Sequence, residues 1–158
     1  MQLRRVPAAR VWASVYCVLI GLLLAGCPAH FVSDYDEIFD KAVTDTQKKT
    51  DAFLLKLQDV KSPLRRYANA KDTYADIRND IHSLKLRAQA NNANNLNDLT
   101  LKQLETIDDN VTKLQARHEA TPNGPSVDFF RIAQDIIDTQ FSAILKFEIA
   151  KKRGGVKS

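Results

Sequence analysis

Tyr67, Ala70, Tyr74, Ile77, Ile81, Leu84 and Ala88 follow one another at steps of three and four residues without a break. On a helix with 3.6 residues per turn that spacing gathers all seven side chains onto one stripe, a heptad seam sustained over three repeats. Such a seam has to be buried against other helices. The rest of the chain offers them, because the same rhythm recurs in three further segments, while alternating β-branched patterns are absent.

The first segment runs from about Asp34 to Val60. Ser33 is a suitable N-cap, and Asp34, Asp36 and Glu37 put negative charge on the first turn, where the helix dipole favours it. Its inner stripe reads Tyr35, Phe39, Ala42, Thr46, Thr50, Phe53, Leu57 and Val60. Ser62-Pro63 stops it, with Ser62 placed to cap the next helix and Pro63 at that helix's first position. The second segment spans about Pro63 to Ala90 and ends in Asn91-Asn-Ala-Asn-Asn95, since asparagine competes for backbone hydrogen bonds. The third covers roughly Asn97 to Glu119, with Leu104, Ile107, Val111 and Leu114 inward. After the turn Thr121-Pro-Asn-Gly-Pro125, the fourth runs from Pro125 or Ser126 to Arg153, with Gly154 a natural residue to follow its end.

Four helices joined by short loops predict an all-α fold, an antiparallel up-down-up-down four-helix bundle over residues 34–153 with a basic tail at 154–158. The alternative is an elongated helical hairpin in which Ser62-Pro63 kinks one long arm. Proline disfavours helical geometry in the residue before it, which argues for the bundle.

Ahead of the helices the chain changes character. Arg4, Arg5 and Arg10 precede the fifteen uncharged residues Val11 to Ala25. A basic start followed by an apolar stretch of that length is the profile of a secretory signal, and it is short of the roughly 20 residues a membrane span requires. The segment closes on Leu24-Ala25-Gly26-Cys27, which resembles the lipobox of bacterial lipoprotein signals. That resemblance implies cleavage between Gly26 and Cys27, removal of residues 1–26, diacylation of the Cys27 thiol and acylation of the new amino group. Several acyl chains anchor far more firmly than one. Residues 27–33 would then be the lipidated cysteine and a short tether, with the bundle facing the periplasm. The absence of Asp after Cys27 favours the outer membrane over the inner.

The signal also carries away evidence. The formal net charge of +4 loses three units with Arg4, Arg5 and Arg10, leaving +1. Such a near-neutral body offers no case for nucleic-acid binding. Cys17 leaves with the signal and Cys27 is consumed by lipid, so no disulfide is expected.

Candidate chemistry is sparse. His30 falls in the tether, His82 points away from the heptad seam, and His118 lies inward near the end of the third helix, where a hydrogen-bonded structural role is expected. Neither His82 nor His118 has Glu three residues before it, as a di-iron bundle would need. Asp108 and Asp109 are helix neighbours about 100° apart and cannot face each other across a site. No phosphate loop, nucleophile elbow or zinc spacing occurs. The reading is of a protein that is not an enzyme and needs no cofactor.

Two features bear on binding. Of residues 127–150 fourteen are apolar, and they form two adjacent stripes. One passes through Phe130, Ile137, Phe141 and Ile144; the other, through Phe129, Ile132 and Ile136, is a possible partner face. Then Lys151, Lys152 and Arg153, with Lys157 beyond them, fall at the end of the bundle to which the tether returns, a possible contact with an anionic membrane surface. Together these predict a lipid-anchored envelope protein that binds or scaffolds another envelope component, and they are compatible with a homo-oligomer. The alternative is a bundle holding haem, a lipid or a metal, because Thr46 and Thr50 keep the middle of the first stripe small.

Overall fold

The structure, a computed structural model, describes residues 35–92 and 97–154. The signal segment, Gly26, Cys27, the tether with Ser33 and His30, and Lys157 in the tail lie outside the described residues. Helix α1 is Glu37–Gln58, α2 is Tyr67–Ala90, α3 is Asp98–Glu119 and α4 is Val127–Gly154, with a single 3-10 turn at Pro63–Arg65.

Each helix packs on its chain neighbours, and α1 packs on α4 to close the ring. Contacts at matching heights make every neighbour antiparallel. Arg87 near the end of α2 pairs with Asp36 before α1, Gln115 near the end of α3 bonds Tyr67 at the start of α2, and Lys151 near the end of α4 bonds Asn97 before α3. The up-down-up-down bundle is therefore the fold. The hairpin is not, since α1 and α2 are separate arms meeting side by side.

The heptad seam is the heart of the core. Ala70, Tyr74, Ile77, Ile81, Leu84 and Ala88 are all buried, and they meet Phe53, Leu54 and Leu57 of α1, Leu104, Ile107 and Val111 of α3, and Phe130, Ile137, Phe141 and Ile144 of α4. Phe53 stands edge-on to Tyr74 with ring centroids 4.8 Å apart, a favourable quadrupole arrangement.

The ends of the elements differ from the sequence expectation, for local reasons. Asp36 is the N-cap of α1, accepting from the backbone N–H groups of Ile38 and Phe39, so the helix starts later than Asp34. It also stops at Gln58: Asp59 is extended, and Val60, expected inward, is 71% exposed. Ser62 does cap through its hydroxyl, but it caps the 3-10 turn rather than α2. Arg66 is extended, with ψ of 121°, so α2 begins only at Tyr67. Helix α4 takes its first-turn cap from Ser126, whose hydroxyl accepts from the Phe129 N–H, and it runs through Gly154 instead of ending before it.

Arg65 explains why the turn is placed there. Its guanidinium donates to the Leu57 carbonyl (2.8 Å) and to the Pro125 carbonyl (2.5 Å), joining the end of α1 to the start of α4. Gly124, at φ +77°, lies against the same residue; a Cβ there would come within 2.7 Å of the Arg65 carbonyl oxygen. Only glycine suits that turn.

Candidate partner face on helices α3 and α4

The two apolar stripes of α4 part company in the fold. Phe130, Ile137, Phe141 and Ile144 are buried, whereas Ile132 is 56% and Ile136 47% exposed, with Phe129 half-buried between the two. The inner stripe fills the core. The outer one is left on the surface, on the flank of α4 nearest α3.

There it forms one wall of a groove of about 300 Å³. Ala133 sits at the floor beside Ile137 and Leu114, Phe129, Ile132 and Ile136 rise on the α4 side, and Asn110, Lys113 and Arg117 rise on the α3 side. A small residue at the floor between large ones makes the depression. Phe129 is held by its cap and by an edge-on contact with Phe130, ring centroids 6.0 Å apart. The Asn110 amide donates to the Gln140 side-chain oxygen at 3.2 Å across the seam and ends the groove. Lys113 and Arg117 are exposed and make no ion pair among the described residues. The far lip of α4 carries Asp135 and the exposed pair Asp128–Arg131 (2.7 Å).

The basic cluster at the end of α4 does not stay together. Arg153 is exposed and the Lys152 ammonium stands 5.2 Å from the Tyr35 ring, but Lys151 is buried. Its ammonium donates to Glu148 Oε1 at 2.7 Å and to the Asn97 side-chain oxygen at 2.8 Å, and it lies 4.8 Å from the Phe147 ring. Of the three residues expected at a membrane surface, Lys151 is thus committed to the core, because it and Glu148 continue the inward stripe of Phe141 and Ile144 at steps of four and three. Glu148 is fully buried, and its second oxygen, Oε2, has no hydrogen-bond partner among the described residues; the same is true of the Thr100 hydroxyl. Burial raises the Glu148 carboxyl above its ordinary range, Lys151 opposes that, and the negative charges of Asp40 and Asp36 add to it. Its place on the stripe could be counted from the sequence, but Lys151 beside Lys152 and Arg153 reads there as part of a terminal basic cluster.

The other singled-out residues have structural roles. His118 is buried with both ring nitrogens bonded: Nδ1 meets the Tyr74 hydroxyl at 3.2 Å and Nε2 meets the Arg65 carbonyl at 2.9 Å. A carbonyl only accepts, so Nε2 carries the proton and Nδ1 accepts from Tyr74. Burial holds the imidazole below its ordinary pKa and pushes the Tyr74 hydroxyl up. Asp108 accepts from Lys85 at 2.6 Å and from Arg78 at 3.4 Å, which outweighs its partial burial and lowers its carboxyl; Asp109 and His82 are exposed. The hydroxyls of Thr46 and Thr50 turn back on their own helix, donating to the carbonyls of Ala42 and Thr46 at 2.8 Å each. Among the described residues no group of three or more His, Cys, Asp or Glu could hold a metal ion, and no helix is long and apolar enough to cross a membrane.

No protein-family model matches this chain, and neither a curated protein nor a solved structure does.

Proposed function

We propose that the protein is a lipid-anchored component of a bacterial cell envelope, held on its membrane through Cys27, that acts by binding rather than by catalysis and docks its partner on the α3–α4 groove. The observation that carries the docking site is the surface position of Ile132 and Ile136 beside a groove of about 300 Å³, next to two cations, Lys113 and Arg117, that make no ion pair among the described residues. Concave apolar surface rimmed by unpaired charge is what a partner covers. The anchor rests on the Leu-Ala-Gly-Cys sequence at 24–27 and on the charge pattern before it. In this reading the bundle faces the periplasm, at the outer membrane in preference to the inner.

The test has two arms in cells carrying the full chain. A photo-crosslinking residue at position 132 captures a defined product, whereas one at Leu55, which is 53% exposed on α1, does not. Cys27→Ala moves the chain out of the membrane fraction. An absence of product from 132 sinks the docking site; unchanged fractionation of the Cys27 variant sinks the anchor.

A further inference from the structure

Resting on the Cys27 anchor proposed above, we infer that the Tyr35 end of the bundle is seated end-on against the lipid surface, through a collar of four aliphatic side chains, Ile38, Leu86, Leu99 and Ile149. Each comes from a different helix, and each is between 45% and 69% exposed. Exposed aliphatic residues scattered singly need no explanation, but four at one level mark a surface that something covers.

Their common level follows from the bonds that join the helices. Arg87 pairs with Asp36 between α2 and α1; Leu86 stands one residue before Arg87 and Ile38 two after Asp36. Lys151 bonds Asn97 between α4 and α3; Ile149 stands two residues before Lys151 and Leu99 two after Asn97. The two pairs are themselves tied, since the Asn97 amide donates to the Asn91 carbonyl at 3.2 Å and the Asn91 amide donates to Asp36 at 2.7 Å. The four side chains therefore ring the bundle within about one helical turn of each other. The other exposed large aliphatic residues among those described, Leu55, Val60, Ile132 and Ile136, lie on α1, just past its end, or on α4, so the opposite end has no such ring.

Two observations identify the partner as lipid. The first is the charge pattern. One turn back from the tip, Lys41 follows Ile38, Lys102 follows Leu99 and Lys146 precedes Ile149, each exposed and three residues away on the same face. An aliphatic side chain toward the tip with a lysine behind it suits a membrane interface: the ammonium stays among the phosphates while the apolar parts reach toward the acyl chains. Lys102 and Lys146 make no ion pair among the described residues, and Lys41 has only the exposed Asp45. Lys152, beside the Tyr35 ring, and Arg153 extend the positive edge. Glu37 and Asp98 are exposed at this end too, on the first turns of α1 and α3, where the helix dipole favours them. They keep the seat shallow, at head-group depth.

The second observation is the reach of the chain. Cys27 stands eight residues before Tyr35, and eight extended residues span at most about 28 Å. Helix α4, with 28 residues, is about 42 Å long. A lipid on Cys27 keeps the Tyr35 end within reach of the membrane, and the opposite end is free to stand clear of it.

The test uses the full chain, purified from bacterial membranes, in phosphatidylethanolamine–phosphatidylglycerol vesicles that carry a head-group spin-labelled lipid. A fluorophore attached through Ile38→Cys, Leu86→Cys, Leu99→Cys or Ile149→Cys, one at a time, is quenched about threefold more than one attached through Leu55→Cys or Ile132→Cys. Label on the unsubstituted chain sets the background. Leu99→Glu with Ile149→Glu cuts the quenching at Ile38→Cys by about half, whereas Leu55→Glu with Ile132→Glu leaves it unchanged. All of these side chains are exposed, so the variants keep the fold.

The outcomes separate the seat from the anchor. If no position is quenched while Cys27→Ala still moves the chain out of the membrane fraction, the seat is wrong and the anchor stands. Equal quenching at all six positions lays the bundle on its side and overturns the end-on seat. If the Cys27→Ala chain stays in the membrane fraction with the collar alone quenched, the anchor is wrong and the collar still meets lipid.

Discussion

At one end of the bundle His118 is buried with both ring nitrogens bonded; at the other Glu148 is buried with one oxygen bonded and the other without a hydrogen-bond partner among the described residues. The His118 end is neutral. A Tyr74 hydroxyl and the Arg65 carbonyl complete it, and Arg65 spends its charge on carbonyls at the bundle's surface. The Glu148 end is charged. Its ammonium and carboxylate come from one turn of α4, Asn97 supports the ammonium, and Asp36 and Asp40 raise the cost of the carboxylate. Both ends link several helices, but by different means. The neutral end gains from satisfied hydrogen bonds, each worth about 1 kcal/mol net. The charged end offsets a large desolvation cost with a close pair, an arrangement that specifies geometry more than it adds stability.

The most severe break of this comparison is Lys151→Ala. It leaves Glu148 buried without its counter-ion, and the expected loss is about 3–5 kcal/mol at neutral pH, read as a fall in the urea midpoint. Because the harm is done by the carboxylate, the loss shrinks on acidification. The pair Glu148→Gln with Lys151→Met recovers most of the stability, since replacing a buried ion pair with neutral groups of similar volume is often neutral or favourable. A loss below about 1 kcal/mol for Lys151→Ala would mean that the pair is not what tolerates Glu148 there.

His118→Phe is the matching cut at the neutral end. It keeps volume and leaves the Tyr74 hydroxyl and Arg65 carbonyl without partners, for an expected cost of about 1–3 kcal/mol. The pH profiles separate the ends by sign. A histidine held below its ordinary pKa of about 6.5 stays neutral in the fold while the unfolded chain takes up the proton, so its contribution is present above that value and lost as pH falls. A glutamate held above its ordinary value of about 4.5 keeps its proton in the fold while the unfolded chain releases it, so its contribution is lost as pH rises. Between pH 4.5 and 6.5 the two slopes oppose each other. Removing His118 should leave stability falling as pH rises, and Glu148→Gln should leave it falling as pH drops. Identical slopes in the two variants would show that the buried ends do not govern this window.

How much of this was readable in advance follows the same divide. The α2 seam and the four helices were legible because apolar period and turn residues are local properties, and the two stripes of α4 were separable by their 3.6-residue rhythm. His118 was readable too, since it stands four residues after Leu114 on an inward stripe. Glu148 and Lys151 occupy the same kind of position, yet their burial depends on Asn97 from a distant loop, and a single helix does not reveal that partner. The delayed start of α2 is hidden for a similar reason. Proline and serine promise a helix at Pro63, while the Arg65 guanidinium, bonded 60 residues away to Pro125, is what fixes the turn. The groove was legible only as a stripe: Phe129, Ile132 and Ile136 could be placed together, but Lys113 and Arg117 join them through the fold.

The gentlest test concerns Asp36, which sits at the charged end but is built like the neutral one. Its carboxylate caps α1, receives a two-pronged pair from Arg87 at 2.6 and 2.8 Å, and accepts from the Asn91 amide at 2.7 Å. The Arg87 hydrogen bonds hold the carboxyl below its ordinary range, ahead of an opposing desolvation. Asp36→Asn keeps an oxygen for the cap and gives up the charge, so it removes the ion pair while sparing the helix start. Arg87 is 38% exposed in its side chain, and water replaces much of what is lost. The expected cost is therefore below about 1 kcal/mol. It should also relieve Glu148 of one of the negative charges that oppose its ionisation, which makes Asp36→Asn in the Lys151→Ala background less harmful than in the intact chain. Simple additivity of the two substitutions would show that Asp36 and Glu148 do not share a field, and the charged end would then divide into two independent sites.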